Sequence, residues 1–256
     1  MTDTAPQPLP VLRSRILSQF PHVSFCMSTR QGEAPGTPYG FNLGFARGDD
    51  AALVDRRLRR FLDVSGLEAD ELAFMEQVHG NRMAHATEAG EYTGCDALYT
   101  RTPRIGLAVR VADCAPVLLY APGENLIAAI HAGWRGTADG IAGAAVARLC
   151  LDFDLDASAF YAYIGPAAVS CCYEVGADVA SRFPAEVVRP LENGNAMLDL
   201  HAANARQLAE AGLDPENIEV DAQCSIHQSA LFQSHRRDGA RSGRMLAVIA
   251  LTQEAE

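Results

Sequence analysis

The stretch ADCAPVLLYAPGENLIAAIHAGWRG, residues 112–136, predicts the central hairpin of the fold. Two apolar runs, PVLLY and LIAAIHAG, flank the polar loop PGEN at residues 122–125, and such a loop between apolar runs is typical of antiparallel strands. In the register that this loop sets, Pro116 lies opposite His131 and Cys114 lies opposite Gly133.

In this register the side chains of Cys114 and His131 share one face of the hairpin. They are diagonal neighbours with roughly 7 to 8 Å between their Cα atoms, which suits a direct contact or a shared metal ion. A shift by one residue would place them on opposite faces. A cysteine and a histidine in such runs are also common as ordinary core residues. The neighbouring Asp113 and the glycine-containing AGWRG segment favour a binding site where the strand opens into a loop.

A third candidate residue is His79 in the segment MEQVHGNRM, where it is predicted to end an apolar strand directly before Gly80. Its ordinary role would be that of a turn residue. Together His79, Cys114 and His131 supply one thiolate and two imidazoles, with no fourth ligand close in sequence. Zinc held by three side chains keeps an open position for water, as in catalytic sites.

The composition indicates one globular catalytic domain spanning residues 1–256, with about residues 1–12 as a flexible N-terminal segment. The hydrophobic fraction of 48% is enough for a large core, and the net charge of −11 argues against a nucleic-acid polymer as partner. The first residues lack the basic and apolar regions of a signal peptide, and no apolar run approaches the roughly 20 residues that cross a bilayer. Seven scattered cysteines do not form the pattern of a disulfide framework. We therefore expect a soluble cytoplasmic protein, and the sequence does not indicate its oligomeric state.

The apolar patterning predicts an α+β fold, because hairpins are mixed with single helices. The predicted strands are VSFCMSTR, LAFMEQVHG, RMAHAT, GLAVRVADC, PVLLY, LIAAIHAG, FYAYIGP, IEVDAQC and RMLAVIAL. The predicted helices are DDAALVDRRLRRFLDV, with Asp49 or Asp50 as its N-cap, DGIAGAAVARL, GADVASRF and LDLHAANARQLAEAG.

The segment SHRRDGARSGRM concentrates arginines near the C-terminus of an acidic chain. It is either a solvated loop before the last strand or an anion site. The second alternative rests on the ability of one guanidinium group to donate two parallel hydrogen bonds to a phosphate. Arg236 and Arg237 are the candidate phosphate-binding residues. Asn42, within a long loop rich in glycine and proline, is a further candidate for a polar contact with substrate.

Several motifs, taken in order, resemble the YfiH-type family, whose members have been described as laccase-domain or polyphenol oxidoreductase proteins and as purine nucleoside phosphorylases. The motifs are STRQG, PYGFNLG, GDD, QVHG, DAL, ADCAPVLL, HAGWRG, IGP with CCYEVG, LDL, and SHRRDG with SGRM. The resemblance runs from about residue 27 to residue 251.

The resemblance implies a single α+β domain in which mixed β-sheets are layered with flanking helices. It also implies a catalytic zinc held by the histidine of QVHG, the cysteine of ADC and the histidine of HAGW, which are His79, Cys114 and His131 here. The implied reactions are phosphorolysis of adenosine, inosine, guanosine and methylthioadenosine, and hydrolytic deamination of adenosine. The implied partners are therefore small purine nucleosides and phosphate.

Three positions depart from the usual pattern of the family. Glu33 stands where a second glycine is usual, Val111 stands where a threonine usually precedes ADC, and Ala168, Val169 and Ser170 stand where the triplet IGP is common. None of these positions is a proposed metal ligand, so the departures bear on substrate preference rather than on the metal site.

Other functions remain open for the same residues. Cys114 could be a nucleophile with His131 as its base, giving a hydrolase that needs no metal. Copper-dependent phenol oxidation is a further alternative, but seven histidines are too few for a multicopper site, so at most one copper could bind. A metal that only stabilises a partner-binding domain is a non-enzymatic alternative, and an open coordination position argues against it.

Overall fold

A computed structural model describes residues 8–33, 36–37, 39–44 and 48–252 of the chain. Within these ranges two six-stranded sheets and one three-stranded sheet combine with six α-helices. The first seven residues of the predicted N-terminal segment lie outside the described ranges, whereas Val11–Leu12 forms a short strand paired with the next one. No helix among the described residues is long and apolar enough to cross a membrane.

The first sheet contains six strands. In spatial order they are β1 (Val11–Leu12), β2 (Val23–Ser28), β15 (Met245–Leu251), β7 (Gly106–Val111), β3 (Leu72–Met75) and β5 (Gly90–Tyr92). The C-terminal strand β15 lies at the centre and is antiparallel to β2 and β7, while β3 runs parallel to β5 and β7. Every residue of β15 is buried, because helices or strands cover both faces of this strand.

The second sheet has the predicted hairpin at its centre. Its spatial order is β14 (Ile218–Val220), β10 (Tyr161–Ile164), β8 (Ala115–Ala121), β9 (Leu126–Ala132), β6 (Ala97–Thr100) and β4 (Met83–His85). Strands β8 and β9 pair with Pro116 opposite His131, which confirms the predicted register. A small third sheet consists of β11 (Glu174–Val175), β13 (Ala196–Leu198) and β12 (Val188–Pro190).

The helices flank the two large sheets. They are α1 (Ala51–Ser65), α2 (Trp134–Ala138), α3 (Ile141–Phe153), α4 (Ala177–Ala180), α5 (Leu200–Glu210) and α6 (His235–Asp238). Asp50 caps α1 by accepting a hydrogen bond from the backbone N–H of Leu53 at 2.9 Å, as the sequence predicted for one of its two aspartates. The AGWRG segment, predicted to open into a loop, instead forms the short helix α2.

Three apolar clusters order these elements into layers. The central cluster joins the facing sides of the two large sheets, with Met27 and Val109 from the first sheet and Leu118 and Ala129 from the second. Helices α3 and α5 cover the outer face of the second sheet, and α1 covers the outer face of the first. Each fully buried side chain of Leu or Phe size contributes about 1.5–3 kcal/mol to such a core. The α+β fold with layered mixed sheets is therefore confirmed.

Candidate metal centre

The chain passes from the first large sheet to the second at residues 112–114, and the candidate centre lies at this crossing. Strand β7 ends at Val111 in the first sheet, and β8 begins at Ala115 in the second. Cys114 therefore lies in the short connection, directly beside the end of β9. Gly133 keeps this corner open, since a Cβ atom at that position would be only 2.8 Å from the Cys114 sulfur.

The structure brings together the three residues that the sequence singled out. One ligand atom each from His79, Cys114 and His131 lies within 4.8 Å of the other two. The two imidazole rings are 4.8 Å apart between centroids and nearly perpendicular. His131 is buried, Cys114 is half-buried and His79 is exposed, so the group opens towards solvent on the His79 side. Three convergent donors with one open side could hold a metal ion that still has a free coordination position.

His79 reaches this group from a loop rather than from a strand. Strand β3 ends at Met75, so the prediction that His79 ends an apolar strand is wrong. The backbone at His79 has a positive φ of 62°, a conformation that non-glycine residues seldom adopt. The carboxylate of Asp96 holds the loop in place by accepting backbone N–H groups from His79 at 2.9 Å and Gly80 at 2.7 Å.

Asp96 also orients the second imidazole. Its Oδ1 atom lies 2.8 Å from Nδ1 of His131, in a fully buried position. A carboxylate on one ring nitrogen fixes the imidazole so that its other nitrogen faces the centre, which is the usual arrangement around metal-binding histidines. In the sequence Asp96 is the first residue of the DAL motif, and no role was predicted for it. A buried aspartate at the start of an apolar strand was the signal that could have identified its role.

The ionisation of Cys114 is coupled to that of the histidines. Burial alone would raise the pKa of the Cys114 thiol, but His131 and then His79 lower it to about 6. Burial alone would lower the pKa of His131, but the thiolate of Cys114 and the carboxylate of Asp96 raise it to about 9. Near neutral pH the metal-free centre is therefore a thiolate paired with an imidazolium, and the thiolate is the form that binds metal or attacks as a nucleophile.

A cleft of about 670 Å³ opens in front of the three residues. Four arginines line it although the whole chain carries a net charge of −11: Arg110, Arg135, Arg236 and Arg244. The aromatic rings of Trp134 and Tyr173 also line the cleft. The carboxylates of Glu76, Glu91 and Asp113 line it too, so the cleft places several guanidinium groups, carboxylates and two aromatic rings beside the candidate metal ligands.

Arg236 and Arg237, which the sequence placed together, have different surroundings. Arg236 lines the cleft and lies over the ring of Tyr173, with 4.9 Å from its guanidinium carbon to the ring centroid. Arg237 points away from it, and its guanidinium donates to the backbone carbonyls of Ser225 and Ile226, both at 3.0 Å. Arg237 therefore ties loops together, and its assignment to phosphate stays a prediction.

Asn42 is buried and does not line the cleft. Its side-chain amide donates to the Gly44 carbonyl at 2.6 Å, and its Oδ1 atom accepts from the backbone N–H of Arg244 at 2.8 Å. Since Gly44 and Arg244 both line the cleft, Asn42 positions part of its wall, and its predicted contact with substrate stays a prediction.

Arg110 lines the cleft and was not among the site residues predicted from the sequence. Its guanidinium lies over the ring of Phe74 at 4.2 Å, and among the described residues its Nε atom is buried without a hydrogen-bond partner. Burial lowers its pKa. A buried donor without an acceptor is costly, so an anion in the cleft would be a favourable partner for it.

Relatives with assigned names cover nearly the whole chain. The purine nucleoside phosphorylase of Deinococcus radiodurans is 40% identical over 253 residues, which span 97% of this chain and 95% of that protein. The purine nucleoside phosphorylase YlmD of Geobacillus stearothermophilus is 36% identical, with 87% of this chain and 88% of that protein covered. The adenosine deaminase RL5 of an unknown prokaryotic organism is 35% identical, with 85% and 90% covered.

Solved structures share the fold at similar coverage. The hypothetical protein YfiH of Bacillus licheniformis superimposes with a TM-score of 0.89 at 30% identity, covering 95% of this chain and 97% of that chain. YlmD of Geobacillus stearothermophilus gives a TM-score of 0.88 at 33% identity, with 95% and 96% covered. Residues 24–252 match the family described as multi-copper polyphenol oxidoreductase laccase. The resemblance seen in the motifs is thus confirmed, and the chain belongs to this family.

Proposed function

We propose that the protein is a zinc enzyme that acts on purine nucleosides, by phosphorolysis of adenosine, inosine, guanosine and methylthioadenosine and by hydrolytic deamination of adenosine. The observation that carries this proposal is the position of His79, Cys114 and His131 at the floor of an arginine-lined cleft. The names of the relatives, purine nucleoside phosphorylase and adenosine deaminase, support the same substrate class.

The donor set fits zinc. One thiolate and two imidazoles are ligands that zinc accepts in tetrahedral geometry, and three protein ligands leave a fourth position open. Copper also binds imidazole and thiolate, but a site with three donors does not supply the histidines of a multicopper oxidase. When bound, zinc would lower the pKa of water towards neutrality and act as a Lewis acid. Asp96 would hold His131 in the tautomer that presents Nε2 to the ion.

The cleft arginines suit phosphate as the second substrate. In phosphorolysis a phosphate oxygen forms a bond to C1′ of the ribose while the bond from C1′ to the purine nitrogen breaks. We assign phosphate binding to Arg110 and Arg236, because both line the cleft and Arg110 has a buried Nε without a partner among the described residues. Arg236 also donates to the carbonyl of Glu174 at 2.6 Å, but Arg237 is less suited, since it does not line the cleft and its guanidinium is paired with the carboxylate of Asp238 at 2.7 Å.

The aromatic walls suit the purine. Trp134 and Tyr173 line the cleft, and a base could stack on either ring at a face that Arg135 or Arg236, which lie over these rings, does not cover. In deamination the oxygen of water attacks C6 of the stacked adenine, and the exocyclic nitrogen leaves as ammonia. Because this reaction needs no phosphate, it separates the role of the metal ligands from the role of the arginines.

A second function is favoured by one specific arrangement. The thiol of Cys114, the imidazole of His131 and the carboxylate of Asp96 form a chain like that of a cysteine hydrolase, in which His131 would be the base. In that mechanism His79 has no required part. Variants at His79 therefore decide between the two accounts.

The test combines metal content and turnover. Purified protein should contain about one zinc ion in this centre, convert adenosine to inosine, and yield free base with ribose 1-phosphate when phosphate is added. His79→Ala should lose the zinc ion of this centre and lower turnover by about 100-fold or more while keeping its fold. His85→Ala is the matched control, since His85 is exposed on β4, outside the cleft lining.

Two results would contradict the zinc mechanism. One is a folded His79→Ala protein that has lost the zinc ion of this centre and still turns over adenosine at the rate of the unaltered protein, which would leave the cysteine dyad as the mechanism. The other is active protein that contains no zinc. If chromatography shows no conversion of adenosine, inosine or methylthioadenosine at high enzyme concentration, the purine assignment itself is wrong.

A further inference from the structure

A second group of convergent sulfur atoms lies outside the cleft. The Sγ atoms of Cys171, Cys172 and Cys224 all lie within 4.8 Å of one another. The sulfurs of the adjacent pair are 3.5 Å apart, and Nδ1 of His227 lies 4.0 Å from the Cys172 sulfur. None of these four residues lines the cleft of the first centre. The group therefore needs its own explanation.

Two turns bring these side chains together. The vicinal cysteines lie in the turn after β10, where the N–H of Cys172 donates to the carbonyl of Val169 at 3.0 Å. Cys224 and His227 lie in the turn after β14, spaced as Cys-x-x-His, and the carbonyl of Cys224 accepts from the N–H of Gln228 at 3.0 Å. A spacing of two intervening residues is common for pairs of zinc ligands within one turn.

Backbone contacts hold the two turns side by side. Ala167 and Cys224 form a parallel β-bridge, and the N–H of Ser225 donates to the carbonyl of Ala167 at 2.9 Å. The guanidinium of Arg237 fixes the carbonyls of Ser225 and Ile226 from the other side. Backbone hydrogen bonds therefore fix the two turns that carry these cysteines and His227.

Two of the separations in this group are close to those around one tetrahedral ion. With zinc–sulfur bonds of about 2.3 Å and zinc–nitrogen bonds of about 2.0 Å, two thiolates on one ion lie about 3.8 Å apart, and a thiolate and an imidazole nitrogen about 3.5 Å apart. The observed 3.5 Å between Cys171 and Cys172 and 4.0 Å between Cys172 and His227 lie within half an ångström of these values. His227 is exposed and is not among the residues whose ligand atoms all lie within 4.8 Å of one another, so its side chain would turn towards the sulfurs to complete the coordination shell.

We propose that Cys171, Cys172, Cys224 and His227 form a second zinc site, closed and structural, separate from the centre at His79, Cys114 and His131. Three thiolates and one imidazole are an established ligand set of structural zinc, and they leave no position for substrate.

This second site would stabilise the surroundings of the first one. Ser225, next to Cys224, donates its hydroxyl to Oδ1 of Asp113 at 2.7 Å. Ala168, in the loop that leads to the vicinal cysteines, donates its N–H to the carbonyl of Asp113 at 2.8 Å. Asp113 directly precedes Cys114, so an ion that joins the two turns would also hold the connection that carries this ligand.

The site is tested by zinc stoichiometry in paired variants of the full-length protein. Loaded with zinc and passed through a metal-free column, the unaltered protein should retain about two zinc ions per chain. The double variant Cys171→Ser with Cys224→Ser should retain about one, and so should His79→Ala with Cys114→Ala, whose remaining ion occupies the second site. Cys150→Ser is the matched control, because Cys150 is a half-buried free cysteine on α3 outside this group, and it should retain both.

Cobalt replacement identifies which ion has gone. Sulfur-to-cobalt charge-transfer absorption grows with the number of thiolates, so the three-thiolate site should give about three times the intensity of the one-thiolate centre. The Cys171→Ser, Cys224→Ser variant should lose the stronger charge-transfer absorption of the three-thiolate site. If it loses only the weaker absorption of the one-thiolate centre, the missing ion came from the first centre and the proposal is overturned.

Alkylation tests the site in the unaltered protein, so the result does not depend on whether a variant folds. With zinc bound, the exposed Cys171 should be protected from iodoacetamide, and chelator should remove this protection, as peptide mass spectrometry would show. Equal labelling with and without zinc would overturn the proposal. So would equal zinc content in the unaltered protein and the Cys171→Ser, Cys224→Ser variant, or a disulfide within this group together with no zinc uptake. Because these readouts do not use nucleosides, a failure of the proposed enzyme activity would leave them unaffected.

Discussion

The carboxylate of Asp96 joins the two histidines of the candidate metal centre. Its Oδ1 atom lies 2.8 Å from Nδ1 of His131 and also accepts the backbone N–H of His79 at 2.9 Å. One buried side chain thus orients an imidazole of the second sheet and a loop that follows the first sheet. The geometry of the centre depends on this residue although it contributes no ligand atom of its own.

Replacing Asp96 with asparagine should weaken the centre without removing a ligand. Asn keeps the size of the side chain but loses the charge that stabilises the His131 N–H, so zinc affinity should fall by about 10- to 100-fold. Competition with a chromophoric chelator measures this change. Asp55→Asn, at an exposed position on α1, should leave the affinity unchanged. Equal zinc affinity in Asp96→Asn and unaltered protein would show that the carboxylate does not support the ligands.

Replacing Gly133 with alanine should disturb the centre by steric contact alone. The backbone there has φ −74°, which alanine adopts freely, but the new Cβ would be 2.8 Å from the Cys114 sulfur and 3.2 Å from the ring of His79. We expect zinc affinity to fall on the order of tenfold, while thermal unfolding of the metal-free protein changes little. Gly123→Ala is the control, since nothing lies within 4 Å of its added Cβ. An unchanged affinity in Gly133→Ala would mean that the sulfur is not held against this glycine.

Arg110→Met should separate the two proposed reactions. The methionine keeps an apolar side chain against Phe74 but removes the charge, so the KM for phosphate should rise by about 10- to 100-fold. Deamination of adenosine, which uses no phosphate, should keep its rate. Arg101→Met is a matched control, because Arg101 lies over the ring of Phe153 at 5.6 Å, outside the cleft lining. Equal losses in both reactions would argue against a phosphate role for Arg110.

His201 should contribute to the pH dependence of stability. This histidine is buried on α5 and donates Nε2–H to the carbonyl of Gly165 at 3.0 Å, and its burial lowers its pKa. Because the unfolded chain binds the proton more readily, the stabilising contribution is complete above about pH 6.5 and is lost as the pH falls below that value.

The His201→Gln variant tests this linkage. Glutamine still offers an N–H to the carbonyl but cannot take up a proton, so its free energy of unfolding should fall less than that of the unaltered protein between about pH 7 and about pH 5. Urea unfolding at several pH values measures the difference. His85→Gln, at an exposed histidine, should keep the slope of the unaltered protein. Parallel pH profiles for His201→Gln and the unaltered protein would contradict the prediction.

The hairpin could be predicted from the sequence because its information is local. The PGEN loop and the two apolar runs determine the register, and Pro116 indeed pairs with His131. Continuous apolar runs also located most strands of the two large sheets. The short strands β1, β5 and β6 and the whole third sheet were missed, since their few residues do not show a pattern that differs from the surrounding loops.

The contacts around the centre were harder to predict because they join distant parts of the chain. The positive φ of His79 depends on the carboxylate of Asp96, which lies 17 residues further along the chain. The arginines of SHRRDG are neighbours in sequence, yet a short helix turns Arg236 towards the cleft and Arg237 towards backbone carbonyls. The local sequence predicts an excess of positive charge in the SHRRDG segment, but the direction in which each arginine side chain points depends on tertiary contacts.

Because the chain crosses between the two large sheets at residues 112–114, an ion bound at the first centre would link these sheets. His79 follows the first large sheet and His131 belongs to the second, so an ion bound to both would be a cross-link between the two halves of the apolar core. The sheets could not slide apart without breaking metal–ligand bonds, and the rate of global unfolding would fall accordingly. In a chain whose described cysteines are all free, such an ion would give the kinetic protection that secreted proteins obtain from disulfides.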